Sequence, residues 1–388
     1  MSNSSNQNQP NKQENIEENI ENSTLLFVGT YTRKEGHVDG KAEGIYILKM
    51  NNETGELTNI GTIPNQINPS YLTIHPTGKY IYSVNELADG SPENIGTVSA
   101  FSFDKKTNKA TFLNSVSSQG DAPCHISIDA MRKHVLVANY VGGTVASFPI
   151  LEEGNLGEAV STHEHKIEKI NLPRQEAAHA HMIVSAEKNN TIYAVDLGTN
   201  EVIVYKINVA NGELIRRGEI PISEGAGPRH LAFHPFQKRV YVLGELNQTI
   251  EAFNFENHGE SFERFQIIKT IQDVENEHLV NCAAIKIHPN GEFLYASNRG
   301  IQGHPEQSIS IFKIDFETGE LTYLGKQNTK GLIPRDFELD RNGKFLLVAN
   351  QNSDSIVTFR INQETGMLEE TGFVKEVMTP VCLKFMPQ

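Results

Sequence analysis

Short apolar stretches that alternate with polar residues recur along the whole chain. GIYILKMNN from Gly44 and SISIFKIDF from Ser308 both carry the period of two that a half-buried strand needs. Each leads into the same hexapeptide, ETGELT, at Glu53 to Thr58 and again at Glu317 to Thr322. Related turns near Asn108, Gly154, Gly212, Gly259 and Gly366 bring this series to seven. A second series keeps step with it: NPSYLTIHP, APCHISIDA, HAHMIVSA, GPRHLAFHP, NCAAIKIHP, IPRDFELDR and TPVCLKFMP. The first six of these are followed by a tight turn and a β-rich run such as KYIYSVNEL or KFLLVANQN.

Five steps separate the two identical hexapeptides, about 53 residues each. The pattern predicts a unit of four short antiparallel strands, A to D, with the ETGELT turn joining C to D. Such sheets repeated radially are the blades of a β-propeller, so an all-β, seven-bladed propeller is expected. The last unit has only its strand A, Pro380 to Met386, before the chain ends. LLFVGTYT (Leu25 to Thr32) has the form of a strand B, and strands C and D follow from Gly44 to Ile63. The seventh blade is therefore expected to be stitched from both ends of the chain, which removes an exposed sheet edge.

Length agrees with a repeat array, since 388 residues exceed the roughly 250–300 at which one hydrophobic core stops growing. The absence of tryptophan, together with the long period, excludes a WD-signature array. Residues 1–23 are polar, with neither a basic nor an apolar segment of a secretory leader, and are expected to form a disordered tail before a propeller domain at 24–388. A cytoplasmic location follows as the default. No apolar run is long enough to span a membrane. Cys124, Cys282 and Cys382 have no CxxC spacing, so buried thiols are expected rather than disulfides or a zinc site. A net charge of −14 argues against a nucleic-acid partner, whose backbone is held by Lys and Arg, but leaves room for a small anion in a locally basic pocket.

The start of strand A and the end of strand B are neighbours in an antiparallel sheet, so these places from all seven blades share one channel mouth. Aligning the units puts Tyr71, His125, His181, His230, Ala284, Asp336 and Cys382 in equivalent positions, with Arg229 and Arg335 one residue earlier. The ends of strand B add Asn85, Glu86, Asn139, Tyr140, Asp196, Glu245, Asn298, Arg299, Asn350, Gln351, Thr30 and Tyr31. Most inward histidines and the recurring asparagines are read as hydrogen-bonded lining and backbone pins. The HP pairs at His75, His234 and His288 are read as turn structure at the opposite end of the channel. Gathering Arg229, Arg299 and Arg335 at one mouth costs repulsion. A bound carboxylate or phosphate is the expected compensation, in preference to internal pairing with Glu86, Glu245 and Asp336.

The strings FVGTYT, NPSYLTIHP, APCHISID, VANYVGGTVASFP, RQEAAHAHM, GAGPRHLAFHP, SNRG and PRDFELD resemble the seven-bladed lactonase family over about Leu25 to Pro387. That family includes the propeller-type bacterial 6-phosphogluconolactonases and the fungal carboxy-muconate lactonising enzymes. The resemblance implies a catalytic set of His181, Arg229, Glu245 and Arg299. Substrate contacts are expected from His125, His230, Arg335, Glu86, Tyr140, Arg174, Asp336 and Gln351. It also implies hydrolysis of 6-phosphogluconolactone to 6-phosphogluconate, a step of pentose phosphate glucose metabolism, without metal or cofactor. Glu245 or His181 would be the base, with arginines serving the oxyanion and the substrate anion. A lactonising or isomerising enzyme on a muconolactone and a non-catalytic binding propeller are the alternatives. The partner expected is a small anionic lactone, and the protein itself a monomer or weak homo-oligomer.

Overall fold

The computed structural model describes residues 22–88, 95–167, 173–186, 190–256 and 261–387. Within them lie seven four-stranded antiparallel sheets and one two-stranded hairpin, Lys34–Glu35 with Val38–Asp39. The innermost A strands are Leu72–Ile74, Pro123–Ile128, Ala180–Ser185, Pro228–Phe233, Val280–Ile287, Pro334–Leu339 and Pro380–Phe385, for blades 1 to 7. Successive A strands touch one another round the ring, including blade 7 against blade 1. The fold is the seven-bladed propeller that the repeat predicts.

Blade 7 is built from both termini. Its order is Pro380–Phe385, Ser23–Thr30, Gly44–Asn51 and Leu57–Pro64, and Leu26 opposes Phe385 while Gly29 opposes Cys382. The first strand begins at Ser23, one residue inside the expected tail, and Asn22 already bonds Glu53 at 2.7 Å. The rest of that tail, 1–21, lies outside the described residues, as does the turn at Gly259. Apolar side chains of adjoining sheets interlock between blades. Phe27, Ile47, Tyr82, Phe101 and Phe148, for example, are buried together across blades 7, 1 and 2. All three cysteines are free and buried.

One irregularity organises the mouth. Strand A carries a register shift after its first residue: Pro123 opposes Asn139 and His125 opposes Ala138, so Cys124 is extra. The same extra residue is His181 in blade 3, Arg229 in blade 4, Arg335 in blade 6 and Val381 in blade 7. Such a bulge re-aims a side chain out of the alternation of the strand. This corrects the sequence alignment by one residue for blade 3. His181 shares its place with Arg229 and Arg335, and it is Met182 that corresponds to His125 and His230, because a period of two does not register an inserted residue.

Residues just after the bulge turn toward the next blade instead. His125 Nδ1 accepts the N–H of Ile183 at 3.4 Å, Met182 sulfur that of Leu231 at 3.2 Å, and Asp336 that of Leu383 at 2.9 Å. A second recurrent device precedes the strand: Asn68, Ala122, Gly227, Ile333 and Thr379 all have positive φ, between 43° and 58°. Their carbonyls accept the N–H of Glu86, Tyr140, Glu245, Gln351 and Tyr31. These five side chains therefore leave the end of strand B at one height. Gly227 is the case where glycine is needed for space as well, since an added Cβ would sit 2.7 Å from Leu246.

Candidate active site

The bulge residues Cys124, His181, Arg229, Arg335 and Val381 line one narrow pocket of about 10 Å³, with Ser70, Tyr71, Glu86 and His230. Ser70, Cys124 and Val381 are the lining residues that the sequence reasoning missed. Their signal was available, since each precedes an expected rim residue in the register of Arg229 and Arg335. The larger grooves on the outer surface, such as that beside Gln237, Lys238 and Phe316, hold none of the expected site residues.

Glu245 is the hub of the arginines. It lies 3.0 Å from Arg174 Nη2, 3.1 Å from Arg229 Nε and 3.1 Å from Arg299 Nη2. Internal pairing with Glu245, the less favoured of the two expectations, is thus part of the compensation for Arg229 and Arg299. Burial would raise the Glu245 pKa, but Arg299, Arg174 and Arg229 overcome it and hold the carboxyl at about 2. The guanidinium groups are anchored as well as charged. Arg229 donates to the Ala283 carbonyl at 2.6 Å and Arg299 to that of Cys282 at 2.7 Å. The Nε–H groups of both are buried without a hydrogen-bond partner, because the contact of Arg229 with Glu245 is an ion pair and not an aligned bond. Burial and the neighbouring arginines lower Arg299 to about 9 against the attraction of Glu245, so it is still a cation at neutral pH.

Opposite this hub stands a second carboxylate. Glu86 accepts from Ser70 Oγ at 2.5 Å, and Arg335 donates to the Tyr31 hydroxyl at 3.1 Å with its guanidinium 5.5 Å from that ring. Tyr31 in turn meets His37 of the small hairpin, rings 5.4 Å apart. Four cations, Arg174, Arg229, Arg299 and Arg335, therefore face two carboxylates, leaving the mouth positive within an acidic protein.

Three neutral imidazoles complete the channel lining. His181 and His230 have ring centres 5.4 Å apart, His230 and His125 5.8 Å, and Tyr71 lies 4.4 Å from His125. Burial pushes all three histidines well below the usual range, and Arg229 adds to the effect at each. Of these three histidines, His181 is the one with a buried ring nitrogen, Nδ1, that has no hydrogen-bond partner. Among the described residues no three His, Cys, Asp or Glu side chains are arranged to hold a metal ion.

The remaining expected residues divide. Tyr140 is at the rim, accepting from Arg174 Nη2 at 2.9 Å and facing His181 edge-on at 5.5 Å. Gln351 is buried beside Asn352, with its Oε1 unpartnered, and Asp336 points down the channel toward Lys286 at 4.0 Å. Neither lines the pocket. For Asp336 the reason is the bulge, which turns Arg335 to the mouth and its successor to the neighbouring blade.

The family profile described as Lactonase, 7-bladed beta-propeller matches residues 25–385. A 6-phosphogluconolactonase of Bacillus subtilis is 34% identical, over 93% of this chain and 98% of its own length. One from Formosa agariphila is 33% identical, over 89% and 94%. In structure, a periplasmic gluconolactonase of Pseudomonas aeruginosa superposes with a TM-score of 0.85 at 28% identity, covering 94% of this chain and 99% of that one. No helix among the described residues is long and apolar enough to cross a membrane.

Proposed function

The chain belongs to the seven-bladed β-propeller lactonase family, a family of carboxylic-ester hydrolases, and from that premise we propose that it hydrolyses 6-phosphogluconolactone at the arginine-lined mouth. The observation that carries the reading is a neutral His181, with an unpartnered buried Nδ1, in the same pocket as Arg229 and Arg335. Water adds to the lactone carbonyl carbon while its proton passes to His181. The oxyanion that forms is met by Arg229 and Arg299, whose guanidinium groups are held in place by Glu245 and backbone carbonyls before substrate arrives. As the bond from the carbonyl carbon to the ring oxygen breaks, the proton on His181 goes to that oxygen and an open-chain acid results. Of the two candidate bases, Glu245 has its carboxylate occupied by three arginines, whereas His181 keeps an unpartnered ring nitrogen in the pocket. The role of Glu245 here is to orient and keep ionised the guanidinium groups around it.

A phosphate needs a further cation, and Arg335 is assigned to it. It lies in the pocket but outside the Glu245 cluster, and donates to the Tyr31 hydroxyl. A cytoplasmic setting beside glucose oxidation goes with this substrate. The gluconolactonase likeness supports a second reading, an unphosphorylated lactone. Initial rates on both lactones, by rapid mixing and corrected for spontaneous opening, separate the two. For the phosphorylated substrate, Arg335→Ala should lose about 10- to 150-fold in kcat/KM, the worth of one hydrogen bond to a charged group. Gluconolactone should be nearly indifferent. Equal losses on both would remove the phosphate assignment, and no turnover of either by the native protein would remove the lactonase reading.

A further inference from the structure

Blade 3 departs from its siblings at a place outside the pocket. Where strand B ends, four blades carry asparagine, and Asn85, Asn139 and Asn350 each donate to a carbonyl of the preceding connection, Ile67, Ser118 and Thr329. In blade 5 Asn298 meets the Thr270 hydroxyl at 2.8 Å. These are neutral pairs. In blade 3 the asparagine is replaced by Asp196, and the residue matching Ser118, Thr270 and Thr329 is His165. His165 Nδ1 lies 2.6 Å from Asp196 Oδ2, with both side chains almost fully buried. The other imidazole nitrogen is 3.1 Å from the Tyr205 hydroxyl.

The second Asp196 oxygen has a different task. Oδ1 accepts three backbone N–H groups: His179 at 2.8 Å, Gly198 at 2.9 Å and Thr199 at 2.9 Å. His179 occupies the corner where five other blades use a residue at positive φ, yet its own φ is not positive. Here a buried carboxylate holds the corner that backbone geometry holds elsewhere. An asparagine oxygen could face the same three N–H groups only with its nitrogen turned to His165, and without the negative charge that strengthens each of these bonds.

The corner so held carries functional residues on both sides. Two residues after His179 comes His181, and five residues before it Arg174, itself at φ 69°, a conformation that side-chain-bearing residues adopt rarely and that needs surrounding contacts to persist. The segment between is tied back by Gln175 to the Leu197 carbonyl at 2.7 Å and by the His179 ring stacked 4.5 Å from Tyr140. We propose that the His165–Asp196 pair is the positioning element for His181 and Arg174, setting through this loop the aim of the base and of one arm of the Glu245 cluster. The inference rests on the lactonase reading for its effect on turnover, but not for its effect on the loop.

The test is the double variant His165→Ser with Asp196→Asn, which recreates the neutral pairing of Ser118 with Asn139 and so keeps a blade-to-blade contact that the fold already uses. Three quantities are measured: melting temperature, amide hydrogen exchange of residues 174–181, and kcat and KM on 6-phosphogluconolactone. The expected result is a near-native melting temperature, faster exchange confined to that segment, and kcat lowered about tenfold or more with KM nearly unchanged, since small misplacements of reacting groups carry penalties of this order. Native protection of 174–181, or native kcat, in the folded variant would overturn the proposal. So would loss of the fold, which would make the pair a general structural support. If the native protein turns over no lactone, the functional reading fails alone, because the exchange pattern still decides the positioning.

Discussion

The two ends of the central channel use the same residue types to different ends. Where strands A and B are joined by their turn, His234 and His288 bond the carbonyls of Gly291 and Gly343 in the next blade at 3.0 and 2.9 Å, and accept local backbone N–H groups at the other nitrogen. Lys286 and Lys384 nearby share Glu338, at 2.7 and 3.9 Å. At the mouth, His181 keeps a buried nitrogen unpartnered, and the arginines outnumber the carboxylates. The two turn-end histidines thus spend both ring nitrogens on the fold, whereas the mouth gathers an unpartnered imidazole nitrogen and two unpartnered guanidinium N–H groups where a substrate can meet them.

That contrast can be broken most severely at Glu245. Glu245→Gln would leave three guanidinium groups around a neutral amide, and removing one partner of a buried ion pair costs about 3–5 kcal/mol. Melting temperature and turnover of both lactones should fall together, whereas unchanged melting would mean that the cluster is not held by that charge. A smaller effect is expected from acid. Burial lowers the folded-state pKa of His125, His181 and His230, so the unfolded chain takes up protons first, near pH ~6.5. Stability should be level above that pH and decline as pH falls below it toward the folded values. Replacing His230 with Gln should flatten the decline in an acid titration of melting temperature. The smallest effect belongs to the turn end. His288→Gln should cost roughly 1–2 kcal/mol for its lost hydrogen bonds and leave kcat native, and a drop in kcat would erase the distinction between the two ends.

The ring was legible in the sequence because turn chemistry is local. Gly and Asn at the C–D turns and the alternating runs mark each strand without reference to any other part of the chain. The closure through Pro380–Phe385 followed from counting. The site was legible as a set of residues but not as an arrangement. An inserted residue in strand A leaves no trace in an alternation of period two, which is why His181 was placed one position out of register and Asp336 at the mouth instead of beside Lys286. Arg174 was visible as part of a motif, but its reach to Glu245 depends on a loop in which it has φ 69° and on the carboxylate of Asp196. Neither can be read from neighbouring letters. The extent of internal pairing was hidden for a related reason: only three-dimensional convergence makes one glutamate the partner of three arginines.

The most direct measurement of the central claim is the opening of fresh 6-phosphogluconolactone at neutral pH by the native protein and by His181→Gln, followed by rapid mixing and corrected for the spontaneous reaction. With His181 as the neutral base, the variant should fold normally and lose about 10²- to 10⁴-fold in kcat, the usual contribution of general base catalysis, with KM little changed. A folded His181→Gln protein with native kcat would contradict the account.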